Sequence, residues 1–409
     1  MIRSKIENDT YKWNIAYYYW LNYPFAELCW EFKDRKNEEF DEDFVQSFIM
    51  EIGKLGMLNM SDSEYQFLVN NFTWIPVGFF QWFHKCFRFN PDNVKAWIDS
   101  DKHFHFKFGE GIPAYESTFY EIPCLAIFTE LRERYHGFDS KINLKASMEI
   151  IKEQVALSNE HQLKFSEFGL RRRFSAAWQD QVDQYIVKNA KYCTGNSNVY
   201  LAYTLDQKIS GTMAHEIFMT TGAFKGYVLE NYETIQGWIN AFKGNVGTYL
   251  LDTIGIDAAL NNLTMLQAKI ADGFRWDSGS WESFTTKLIS RLRELRVNPT
   301  QKGIVYSDSI DMQRFDDINN NVKGRIGWAA AGIGGAITNN VVLDDSEIGS
   351  NKVECVCKVR KARINRNSPW INCVKCPDTP GKYMGEKQAI KVCLETLGRT
   401  EELSKYFTE

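Results

Sequence analysis

A parallel α/β fold is the class this sequence predicts, and three observations predict it. From about residue 140 a unit recurs: a short apolar run, a polar or acidic loop, then an apolar series at helical spacing. Before it, His103 to Phe108 alternates apolar and polar with period two, which reads as a strand. After about residue 341, alternating segments return, Val353 to Val359 and Trp370 to Lys375.

The elements follow in order. The first 140 residues mix aromatic-rich runs with polar turns; Glu38 to Asp43 is mostly acidic, and Phe87 to Asp92 ends an element with a turn. Leu144, Met148, Ile151 and Val155 mark an amphipathic helix. Tyr249–Leu251 leads into Asp252, with Ile256, Leu260 and Leu263 following at helical spacing. Phe274–Trp276 leads into Asp277, and Ile304–Tyr306 into Ser307 and Asp308, each followed by a helical series. Ile326 to Ile333 enters Gly334 and Gly335, and a Pro380–Gly381 turn precedes a C-terminal helix. In parallel α/β folds the loops after the strands build the active site. Here those loops carry Asp252, Asp277, Asp308 and a glycine turn. The spacing does not distinguish a closed barrel from an open sheet.

Composition narrows the class. The chain has 409 residues, 44% of them hydrophobic and 14% aromatic, ample for a large core. Lys and Arg total 48 against 52 Asp and Glu, a net charge of −4 with no long basic run, so a dedicated nucleic-acid binder is not expected. No segment reaches the roughly 18 uninterrupted apolar residues of a membrane span, and the polar start lacks a signal-peptide core. Nine cysteines, an odd number and mostly scattered, fit reduced thiols and a cytosolic chain.

Four features stand out as chemistry. Arg171-Arg172-Arg173 cannot share one face, so at least one arginine is free to enter a pocket and bind phosphate or carboxylate; a solvated charge cluster is the alternative. Gly332-Ile333-Gly334-Gly335 exposes backbone N–H groups to a phosphate, or simply makes a tight turn. His215 follows Gly211-Thr212, a helix start, where imidazole serves as nucleophile, base or phosphate partner, or as a structural group. His103 and His105 read as solvent-facing strand residues without a third ligand nearby in sequence.

Taken together, certain motifs resemble a known family. They are Asp9-Thr10-Tyr11-Lys12, Phe168-Gly169-Leu170-Arg171-Arg172-Arg173-Phe174-Ser175, Ser197-Asn198-Val199-Tyr200-Leu201-Ala202 and Gly211-Thr212-Met213-Ala214-His215-Glu216. Arg275-Trp276-Asp277-Ser278-Gly279, Tyr306 to Asp311, Gly332-Ile333-Gly334 and Thr379 to Lys382 complete the set. In this order they resemble the nicotinate phosphoribosyltransferases over almost the whole chain. The resemblance implies an irregular α/β barrel at 141–340, carried by an α+β domain formed from 1–140 and the returning segment 341–409. It implies a cytoplasmic homodimer with shared active sites. The implied reaction joins nicotinate to phosphoribosyl pyrophosphate, giving nicotinate mononucleotide and pyrophosphate, with Mg²⁺ and with ATP hydrolysis coupled through phosphorylated His215. A nicotinamide or other pyridine transferase, and a catalytically silent nucleotide-binding scaffold, are the alternatives.

The roles carried over are these. Phe168 and Tyr11, the latter from the partner subunit, sandwich the pyridine ring. Arg275 takes the nicotinate carboxylate, and Asp277 and Asp308 the ribose hydroxyls and Mg²⁺. Ser307, Gly334 and Gly335 hold the 5′-phosphate; Arg35 and Arg171 hold pyrophosphate. Nicotinamide-using relatives have an acidic residue where Ser197 aligns, so Ser197 favours nicotinate and Ser197→Asp is expected to shift preference toward nicotinamide. Leu170, Trp276, Ser280 and Gly335 depart from the usual threonine, histidine, aspartate and threonine. Finally, Cys355, Cys357, Cys373 and Cys376 resemble a four-cysteine zinc layout, set against reduced core thiols.

Overall fold

A computed structural model describes residues 1–344 and 353–403; residues 345–352 and 404–409 of the C-terminal segment lie outside it. Two sheets organise the chain. In chain order the strands are β1 (Glu27–Asp34), β2 (Lys95–Ile98), β3 (Phe104–Phe108), β4 (Phe165–Glu167), β5 (Cys193–Asn196), β6 (Thr248–Leu250), β7 (Gly273–Trp276), β8 (Gly303–Tyr306), β9 (Trp328–Ile333), β10 (Cys355–Arg363) and β11 (Ile371–Asn372).

The first sheet, ordered β11-β10-β1-β3-β2, is antiparallel throughout. Its longest pairing joins β1 to β10, from Glu27 opposite Arg363 to Asp34 opposite Cys355. The C-terminal segment therefore does return to the N-terminal sheet. In β3 the phenylalanines are buried and His105 and Lys107 alternate outward, as period two requires. His105 meets Asp99 at 2.7 Å, and His103 sits with Asp99 and Asp101 in a partly exposed group. Nearby acids thus exist that the sequence reading passed over, because they lie behind the strand on the preceding turn. Trp13, on the helix Thr10–Asn22, packs against Phe72, Phe80, Phe83 and Phe119, which places that helix over an aromatic core.

The second sheet, ordered β5-β4-β9-β8-β7-β6, is parallel throughout. Helices lie where apolar spacing placed them: Leu144–His161 ahead of β4, and Ile256–Asn262, Trp281–Glu294 and Met312–Val322 after β6, β7 and β8. The edges β5 and β6 do not pair directly. The stretch from Lys208 to Met213 spans the gap. It bridges β5 at Asn196 and Ile209, and Thr212 Oγ1 donates to the Thr248 carbonyl of β6 at 2.8 Å. This irregular stave closes the sheet into a barrel-like body, the geometry the spacing alone left open. Among the described residues no helix is long and apolar enough to cross a membrane.

The departures have local explanations. Leu170 is buried against Ile122 and Ala126, an apolar niche that favours leucine over a hydroxyl. Ser280 caps the helix Trp281–Glu294 by accepting from Ser283 N, work that aspartate does equally well. Trp276 is fully buried against Tyr306, with the Arg314 guanidinium over its ring. The four cysteines face separate neighbours: Cys355 meets Thr129, whereas Cys376 packs with Cys393 in a small core of its own. Among the described residues no three of their sulfurs gather within ligand distance.

Candidate active site

Five of the six barrel strands end at residues that line one cavity of about 890 Å³. Strand β4 delivers Phe168, β5 Ser197, β7 Asp277, β8 Ser307 and Asp308, and β9 Gly334 and Gly335. Tyr11, Arg35, Arg171, His215 and Arg275 complete the residues given roles above, and all line the same space. Residues of β10 and its neighbours, among them Glu354, Val356 and Lys358, close the cavity from the antiparallel sheet.

The three adjacent arginines divide the work. Arg173 is fully buried and pairs with Glu7 at 2.5 Å. Arg172 donates twice to the Cys355 carbonyl, at 3.1 and 2.9 Å, clasping the barrel to β10. Arg171 makes no side-chain hydrogen bond among the described residues and lines the cavity. Only one guanidinium of the run is thus left for an anion, as the crowding argument anticipated.

His215 is the first residue of the helix His215–Lys225 and is almost wholly buried. Its Nε2 lies 3.0 Å from Asp252 Oδ1 and 3.7 Å from Asp277 Oδ2. Asp252 is itself held by the Ser278 hydroxyl at 2.6 Å. Burial and Lys375 outweigh the two carboxylates, so the imidazole is pulled down to about 4 and is neutral near pH 7. A carboxylate only accepts, so Nε2 carries the proton toward Asp252 and Nδ1 keeps its lone pair. Burial opposes ionisation of Asp277, yet Arg275, His215 and Lys375 hold it well below the usual carboxylate range. Arg275 also donates from Nε to Ser307 at 3.0 Å.

Phe168 owes its place to a glycine. A Cβ on Gly332 would lie 2.6 Å from both Cδ2 and Cε2 of its ring, so a glycine there lets the ring lie against β9. Tyr11 lines the cavity from the same chain as Phe168. Backbone hydrogen bonds hold it there. Thr10 N donates to Ser197 O at 2.7 Å, and Val199 N to Asn8 O at 3.0 Å, pinning residue 11 beside its own barrel.

Sequence reading missed four site residues. Lys375 is buried against Asp252 and Asp277, and burial lowers its pKa. Lys382 pairs with Asp308 at 2.6 Å. Lys358 is pushed down to about 8, by burial first. Asp9 receives the Ser197 hydroxyl at 2.7 Å. The lysines sit in strand-like or turn segments without a motif of their own, although Lys382 closes the Thr379-Pro380-Gly381-Lys382 match.

A cavity offering aromatic faces, a free arginine, several lysines and a carboxylate-held histidine suits group transfer between a flat ring and a phosphorylated partner. Comparison with known proteins agrees. A profile of the nicotinate phosphoribosyltransferase (NAPRTase) family matches residues 163–400, and one of its N-terminal domain matches residues 6–129. A nicotinate phosphoribosyltransferase of Desulforapulum autotrophicum is 29% identical over 98% of this chain and 100% of its own length. One from Pseudomonas savastanoi pv. phaseolicola is 31% identical over 83% of this chain and 84% of its own. The crystal structure of nicotinate phosphoribosyltransferase from Porphyromonas gingivalis superposes with a TM-score of 0.93, at 34% identity, covering 97% of this chain and 100% of that one. The chain belongs to the nicotinate phosphoribosyltransferase family, and it is an enzyme.

Proposed function

We propose that the cavity binds nicotinate and phosphoribosyl pyrophosphate together and forms the bond between the pyridine nitrogen and ribose C1′ as the bond from C1′ to pyrophosphate breaks. The observation that carries this reading is the convergence of Tyr11, Phe168, Arg171, His215, Asp277 and Asp308 on one cavity. The ring lies between Tyr11 and Phe168, with Arg275 toward its carboxylate. Backbone N–H groups at Gly334 and Gly335, with the Ser307 hydroxyl, take the 5′-phosphate. Asp277 and Asp308 take the ribose hydroxyls and stabilise positive charge developing at C1′. Arg35, Arg171, Lys375 and Lys382 receive pyrophosphate.

Magnesium fits the donor set: Asp277 and Asp308 offer hard carboxylate oxygens beside the phosphate cations. Bound there with the phosphates, it would offset pyrophosphate charge. The group formed by His215, Asp252 and Asp277 suits it less, since one donor is an imidazole. We assign His215 as the acceptor of the ATP γ-phosphoryl group. Nδ1 forms the N–P bond as the bond to ADP breaks, while Asp252 holds the Nε2 proton and steadies the imidazolium. The phosphorylated histidine then carries about −1.5 to −2 charge beside the pyrophosphate cations.

The division at 1–140, 141–340 and 341–409, a cytoplasmic location and a homodimer belong to the same reading. All nine cysteines are free thiols, which suits a reducing compartment.

The test is mononucleotide formation from phosphoribosyl pyrophosphate and Mg²⁺, with nicotinate or nicotinamide, with and without ATP. Nicotinate turnover raised by ATP is the expected result. Preferred nicotinamide turnover, or none with either base, overturns the reading.

A further inference from the structure

The absence of charge at Ser197 is the sequence argument for nicotinate, yet the fold places a carboxylate one hydrogen bond away. Ser197 Oγ lies 2.7 Å from Asp9 Oδ1. Both residues line the cavity, and their exposures are only 2% and 3%. Backbone contacts fix the pair: Asp9 bridges Asn198, and Thr10 N donates to Ser197 O at 2.7 Å. These contacts hold the two backbones side by side.

A hydrogen bond between a hydroxyl and a carboxyl group has two polarities. Ionised Asp9 only accepts. The single Ser197 proton is then committed to Asp9, and the cavity meets lone pairs. A group that donates, as a carboxamide NH₂ does, then gains relative to a carboxylate, while Arg275 still draws the carboxylate. Neutral Asp9 donates instead. Ser197 Oγ accepts that proton, and its own hydroxyl hydrogen turns to the cavity, where a carboxylate is the matching acceptor. Loss of the Asp9 charge also removes repulsion of that carboxylate, so both effects have one sign.

The surroundings allow this titration. Arg171 and Lys12 favour the ionised form of Asp9, and Glu121 on the helix Glu121–Tyr135 opposes it. Glu167 of β4 and Tyr11 also face it. Burial is the largest influence and pushes Asp9 up to about 6.

We propose that Asp9 is a specificity-determining residue: its protonation state sets the direction of the Ser197 hydroxyl and so the preference of the ring pocket for a carboxylate over a carboxamide. This rests on the cavity being the pyridine site. A group that only shaped the loop would not make this preference depend on pH.

The experiment is calorimetric titration of the full-length protein with nicotinate and, separately, nicotinamide. It spans about pH 5.5 to about 8, where nicotinate stays ionised and Asp9 does not. The ratio of nicotinate to nicotinamide affinity is expected to fall at least about tenfold as pH rises. In Asp9→Asn the side chain stays neutral at every pH, so the ratio stays flat. Ser197→Ala weakens nicotinate at the acidic end and leaves only the shallower slope due to charge. A flat wild-type ratio with both bases bound overturns the switch alone, as does a wild-type slope retained in Asp9→Asn. Failure of both bases to bind at every pH overturns the pyridine-site reading, and the proposal with it; nicotinate affinity that does not change with pH overturns the switch alone.

Discussion

Nε2 of His215 faces Asp252 Oδ1 at 3.0 Å, and Asp252 faces the Ser278 hydroxyl from its other oxygen. This chain of contacts selects which imidazole nitrogen stays nucleophilic. Asp252→Ala removes the selection. The expected result is a loss of about 100-fold in ATP-dependent, acid-labile phosphate incorporation, with His215→Ala as the blank. Undiminished labelling in Asp252→Ala would show that Asp252 does not orient the ring.

Gly332 supports Phe168 by having no side chain. Gly332→Ala pushes the ring into the cavity and narrows the slot facing Tyr11. Nicotinate KM is expected to rise about tenfold, the loss of roughly 1.4 kcal/mol of binding, while kcat changes little. Steady-state kinetics with saturating phosphoribosyl pyrophosphate checks it; an unchanged KM refutes it.

Much of this was legible in the sequence, for physical reasons. The helices after β6, β7 and β8 announced themselves because one face of each is buried, as Phe284, Leu288 and Leu292 show. The loop residues Asp277, Asp308 and Gly334 followed from strand order. The stave from Lys208 to Met213 was not legible: it carries no alternating apolar pattern, since its role is to bridge two edges. Lys358 and Lys375 were hidden because a buried lysine in a strand looks like an exposed one until its partners are known. Asp9 was quoted within a motif but given no role, because its partner Ser197 lies far along the chain.

Lys382 ties the Thr379–Lys382 turn to Asp308. Lys382→Ala removes one cation from the anion end and releases Asp308. The expected effect is a rise of about tenfold in KM for phosphoribosyl pyrophosphate with nicotinate KM unchanged, since about 1–2 kcal/mol of charge-assisted contact is lost. Equal changes in both constants would point to a general distortion instead.

Glu7 and Arg173 form a pair with neither side chain exposed. Burial opposes ionisation of Glu7, but Arg173 and Arg3 outweigh it and hold the carboxyl down to about 2, below its ordinary 4.5. A depressed folded-state pKa stabilises fully above the unfolded value, and that contribution is lost as pH falls from 4.5 toward about 2. Denaturant titrations are expected to show stability declining with acid through this window, with a shallower decline in Glu7→Gln. Arg173→Ala, which strands a buried carboxylate, is expected to cost about 3–5 kcal/mol at neutral pH. A variant as stable as the parent would contradict the pairing.

The pairing of β1 with β10 joins stretches more than three hundred residues apart. During translation, Asp9, Phe168 and His215 emerge long before Lys358, Lys375 and Lys382 do. Until β10 and the residues through Lys382 leave the ribosome, the barrel mouth lacks its roof and three of its cations, so a chain cut short of them has no complete substrate site. The site is complete only once Lys382 has emerged, and a chain stalled ahead of β10 leaves it unassembled.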